Sequence, residues 1–110
     1  MKSKYKKTAE LLGFYQQLYG EAIVKIIGKA NRHILMNLTD GMVAGLPQPA
    51  TLLNKKVWSV PILLTAKTGA TGEVGVIFID DENHDVLGAT DTSMVMHNAE
   101  MLINEKVEVA

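Results

Sequence analysis

The chain has 110 residues, 47% of them hydrophobic, and a formal net charge of −1, which is enough chain for one domain with a real core. The absence of cysteine excludes disulfides, thiolate metal sites and cysteine nucleophiles. No run of about 18 apolar residues occurs, so no membrane span is expected, and Gln16, Gln17 and Glu21 interrupt the apolar stretch a signal peptide needs. The expected compartment is the cytoplasm.

The small net charge hides an asymmetry. Residues 1–32 carry seven Lys/Arg against two Glu, while residues 73–110 carry nine Asp/Glu against Lys106 alone. Opposite ends of this kind can attract each other within or between chains, but surface pairs contribute only about 0–1 kcal/mol each, so solvated faces are the preferred reading.

Residues 1–7 read as a basic arm, and residues 4–37 as helix. Leu12, Tyr15, Tyr19, Ala22, Ile26, Ala30, His33 and Asn37 recur at three- and four-residue steps. A break at Gly20 gives two helices. The stripe does not reset there, which favours one long or gently kinked element. Around residues 38–43, the Asp40-Gly41 pair between apolar residues is a hairpin signal. Asn37 and Gly41 can equally end a helix, and a helix end followed by a loop is the preferred reading. Pro47 and Pro49 then make residues 45–55 an irregular linker into a sheet.

The centre of the chain is a predicted three-stranded antiparallel meander over residues 56–90. Residues 57–65 are almost continuously apolar, as in a strand covered on both faces. Pro61 requires an edge or a bulge there. Residues 73–80 alternate: Val74, Val76 and Phe78 share one face, while Gly75, Ile77 and Ile79 share the other with Glu73. A polar glycine-rich loop (67–72) and an acidic turn (80–85) join the strands, and Val86 restarts the third. One of residues 90–93 caps a C-terminal helix from Met94 onward. The fold class is therefore a single α+β domain with an N-terminal helical region, the meander and a C-terminal helix. A sheet apolar on both faces, beneath a helix stripe too long for it, implies a homodimer or higher homo-oligomer.

Chemistry-bearing motifs are sparse. The acidic turn lacks the central Gly and the spacing of a calcium loop, so a solvated hairpin tip is preferred. His33, His84 and His97 form no H-x-x-x-H pair. His97 and Glu100 share a helix face, most simply as a surface pair. Neither a nucleophile elbow nor a phosphate loop occurs. No catalytic residue, metal or cofactor is assigned. Tyr15, Tyr19, His33, Trp58, Ile77 and Ile79 are the candidate interface or pocket residues.

The segments Trp58-Ser-Val-Pro61, Gly72-Glu-Val-Gly-Val-Ile-Phe-Ile-Asp80 and Asp85-Val-Leu-Gly88 resemble the strand–turn–strand pattern of PepSY-like domains. In that pattern an aromatic-led strand precedes one ending in V-D-A-x-T-G-x-V-L. The Asp and the Val-Leu fit; the turn lacks the T-G and is one residue longer. The resemblance spans about 35 residues and identifies no site residue. It implies a non-catalytic module, some relatives being associated with regulation of proteases.

Three functional readings follow. The preferred one is a non-enzymatic interaction or regulatory protein acting as a homo-oligomer, with an unidentified protein as the other candidate partner. The second is a small-molecule binder or small enzyme with its pocket at the subunit interface. The third is nucleic-acid binding through Lys2, Lys4, Lys6 and Lys7, against which the sequence pI near 6.3 speaks.

Overall fold

A computed structural model describes residues 20–38, 41–65 and 71–109, with side chains as far as Glu105. The elements run α1 (Ala22–Asn37), β1 (Met42–Ala44), β2 (Gln48–Leu52), β3 (Lys55–Thr65), β4 (Thr71–Asp80), β5 (Val86–Ala89) and α2 (Thr92–Val109). The α+β class is as the sequence implies, and β3, β4 and β5 form the expected antiparallel meander. The sheet has five strands rather than three.

The two additional strands fall where a loop and linker were expected. β1 and β2 lie end to end along one side of β3, pairing with residues 62–64 and 55–59 respectively. β2 turns into β3 through Leu53 and Asn54, both left-handed (φ 50° and 63°), the backbone required by a two-residue hairpin. Pro49 is accommodated because β2 is an edge strand. Pro61 has a different solution. Val76, its neighbour on β4, directs its own N–H and C=O to Thr90. The missing Pro61 donor therefore points the other way, where residues 45–47 interrupt the strand. Gly45 still donates to the Pro61 carbonyl at 2.8 Å.

A bulge overturns the simple alternation of β4. Ile62 pairs with Gly75 and Leu63 with Glu73, leaving Val74 as an extra residue. Parity switches there, so Gly72 and Val74 share the core face with Gly75, Ile77 and Ile79. Across β3 that face carries Trp58, Val60, Ile62 and Leu64. Residues Ile77 and Ile79, expected on a face left for a partner, are fully buried in the chain's own core. The bulge frees the Val74 carbonyl, and Asn98 on α2 donates to it at 2.9 Å.

Both helices lie on this core face. From α1 come Ile23, Ile26, Ala30 and Ile34, and from α2 Val95 and Ala99, with Leu102 and Ile103 at the margin. Each fully buried aliphatic side chain is worth about 1.5–3 kcal/mol. One continuous helix over 4–37 is ruled out: Gly20 has φ +74° and α1 starts at Ala22. Its end at Asn37 is as expected. The basic arm and the stripe residues before Gly20 lie outside the described residues. Asp91 accepts from the Ser93 N–H at 3.2 Å and so caps α2. Asn31 accepts from the Ala44 N–H at 2.9 Å, which removes one free donor from the β1 edge.

Candidate functional site

β5 follows from the turn before it. Asp80 is 1% exposed and anchors that turn. Its Oδ1 accepts from the N–H groups of Glu82 (2.7 Å) and Asn83 (3.3 Å), and its Oδ2 is met by the Lys55 ammonium. Its backbone N–H donates to the Asp85 carbonyl at 2.8 Å, and its carbonyl accepts from His84 at 3.1 Å. His84 is left-handed (φ 61°). Trp58 Nε1 donates to Asp81 at 2.8 Å, tying the turn to β3. The acidic cluster is thus organised inward, around one carboxylate. Among the described residues no group of three or more His, Cys, Asp or Glu side chains is placed to hold a metal ion.

The Lys55 contact, then the Glu82 N–H, holds the Asp80 carboxyl below its ordinary pKa, and Asp80 raises that of Lys55. The signs define a stability plateau. A carboxyl depressed in the folded state stabilises above its unfolded pKa, and that stabilisation is lost as pH falls through the folded value. A raised lysine stabilises below its unfolded pKa and loses that contribution as pH rises through the folded value. Asp80→Asn is expected to flatten the acid limb of a melting-temperature profile below about pH 4 and to lower stability at neutral pH. An unchanged acid limb would show that Asp80 does not control the turn.

β5 leaves the turn as an edge. Among the described residues it pairs with β4 alone. Thr90 extends the pairing, its N–H donating to Val76 at 2.9 Å and its Oγ1 accepting from the Val76 N–H at 3.0 Å. Thr90 and Gly88, opposite Val76 and Phe78, therefore direct their backbone groups to β4, and Ala89 between them directs its own away from the sheet.

This edge and α1 enclose a groove made of two shallow hollows. One, of 280 Å³, is lined by His33, Asn37 and residues 86–92. The other, of 210 Å³, adds Lys29, Arg32, Met36, His84 and Asp85 at the start of β5. Apolar side chains line it: Met36 is 71% exposed, and Val86 and Leu87 are 39% and 42% exposed. The Asn37 amide donates to the His33 carbonyl at 2.9 Å, one turn back along α1, and so closes the last turn of the helix beside the groove.

The sequence candidates are not brought together. His33 lines the groove. Trp58 lines a separate hollow of 360 Å³ with Pro49, Ala50, Thr51, Lys56, Val57 and Asp81. Ile77 and Ile79 lie in the core, and Tyr15 and Tyr19 lie outside the described residues. His97 and Glu100 are both exposed on α2. Sequence reasoning passed over Met36 and Leu87 as surface features. The available signal was that Met36 falls off the buried stripe of α1.

Comparisons with protein-family models, curated proteins and solved structures gave no match. They leave the likeness to PepSY-like domains where the residues put it. No helix among the described residues is long and apolar enough to cross a membrane.

Proposed function

We propose that this chain is a non-enzymatic interaction protein that acts as a homo-oligomer, with the groove between α1 and β5 as its working surface. One observation carries the reading. A strand edge with outward backbone groups lies beside three exposed large apolar side chains, Met36, Val86 and Leu87. Edges of this kind pair with other chains unless they are covered or charged. Asp80, the buried polar side chain among the described residues, serves the turn that sets the edge in place.

The Trp58 hollow supports ligand binding less well, because the indole N–H is already directed to Asp81. Nucleic-acid binding rests on the basic arm, which lies outside the described residues.

Molar mass by light scattering over a concentration series tests the reading. A dimer or larger species is expected at micromolar concentration. A monomer throughout the series would contradict it.

A further inference from the structure

We infer that the occupant of the β5 edge is the β5 edge of a second copy, paired antiparallel about a two-fold axis near Leu87 and Gly88, so that one sheet runs through both chains. The inference rests on the proposed function and specifies the surface that performs it. The argument is charge complementarity along the groove. The hollow at its β5-start end is lined by Lys29 and Arg32 with Asp85 as the one acidic lining side chain, so that lining is net basic. Its β5-finish end carries Asp91 together with Asn37 at the C-terminus of α1, where the helix dipole is negative.

Two copies can pair along this edge in two senses. Parallel pairing would set basic end against basic end, and a two-fold axis perpendicular to the strand forbids it. Antiparallel pairing sets each Asp91 against the partner's basic end, and the isologous interface is satisfied twice. The outward N–H and C=O of Ala89 gain partners in the other chain. Val86, on the face shared with α1, meets the apolar flank of the second copy. Met36 borders the same seam. β5 has only four residues, so the backbone contribution is small and the flanking charges matter.

Three variants measured by sedimentation equilibrium test this. Leu87→Glu places like charges near the axis, and dissociation of the dimer is expected with an unchanged circular dichroism spectrum. Lys29→Glu combined with Arg32→Glu puts acid against the partner's Asp91, and at least about a tenfold rise in the dissociation constant is expected. Because both positions are exposed on α1, this double variant decides the matter should Leu87→Glu fail to fold. Asp91→Asn keeps a capping side chain but removes the charge, and should weaken the dimer and reduce its sensitivity to salt between about 0.05 M and about 0.5 M. A wild-type dimer indifferent to the charge reversal would overturn the inference and leave the oligomeric reading standing. A wild-type monomer would overturn both and assign the edge to a different polypeptide.

Discussion

Replacing Ile77 by alanine is expected to lower the free energy of unfolding by about 2–5 kcal/mol. Ile77 has no exposed surface and lies opposite Val60 in the middle of the β3–β4 pair. It belongs to the cluster completed by Ile23, Ile26, Ala30 and Ile34 of α1 and Val95 of α2. Truncation removes three carbons' worth of transfer free energy. It also leaves a cavity whose walls belong to a sheet and its covering helices, which relax only in part. Against a typical domain stability of about 5–15 kcal/mol, a loss of that size is severe. Urea denaturation at neutral pH measures it, and the molar mass of the folded protein should not change. A small stability loss accompanied by dissociation would place Ile77 at an interface, where the alternating pattern of β4 first put it.

Gly75→Val should cost about 1–3 kcal/mol by overpacking. A Cβ at Gly75 would stand 2.9 Å from Val95 Cγ2, 3.1 Å from Thr90 Cβ and 3.2 Å from Ile62 Cδ1. Those atoms belong to α2, to the residue extending β5 and to β3, so no single rotamer change relieves all three. The position is where α2 docks beside the bulge, and Asn98 fixes that docking through the Val74 carbonyl. The variant should therefore loosen α2 before it disturbs β3, and near-ultraviolet dichroism from Trp58 should persist while α2 amides exchange faster. Gly28→Ala is the control. Nothing lies within 4 Å of that position, and alanine in a helix interior should raise stability by about 1 kcal/mol. Equal effects at the two positions would mean that backbone entropy, not packing, governs both.

The sequence made β3, β4 and β5 legible because each combines an apolar run with a polar turn of recognisable chemistry. β1 and β2 were hidden for separate reasons. Pro47 and Pro49 usually argue against a strand, and their acceptance here depends on an interrupted edge that only pairing with β3 creates. The hairpin at Leu53 and Asn54 was hidden because leucine is not a turn residue, although it is left-handed here and 93% exposed. The faces of β4 were misassigned because one bulged residue reverses side-chain parity. No local pattern around Val74 announces the bulge; the packing of Gly72 and Gly75 beneath α2 accounts for it.

The candidate site was legible in part. Val86 and Leu87 read plainly as a strand, yet a strand's sequence does not say whether it ends the sheet. That property comes from topology: β1 and β2 both return to β3, so nothing in the described chain closes the β5 side. His33 was noticed for lying on the α1 stripe. It sits instead at the rim of that stripe, facing the groove and half-buried.

The most direct test of the β5 assignment is hydrogen exchange at the Ala89 amide as a function of protein concentration, read by nuclear magnetic resonance. This N–H points away from β4, so it has no ladder partner among the described residues. Self-pairing through β5 predicts that its protection rises with concentration in step with the dimer fraction, while the amides of Gly88 and Thr90, bonded to β4, change little. An Ala89 amide that exchanges equally fast in dilute and concentrated protein, while the molar mass doubles, would contradict the account and move the interface to another face.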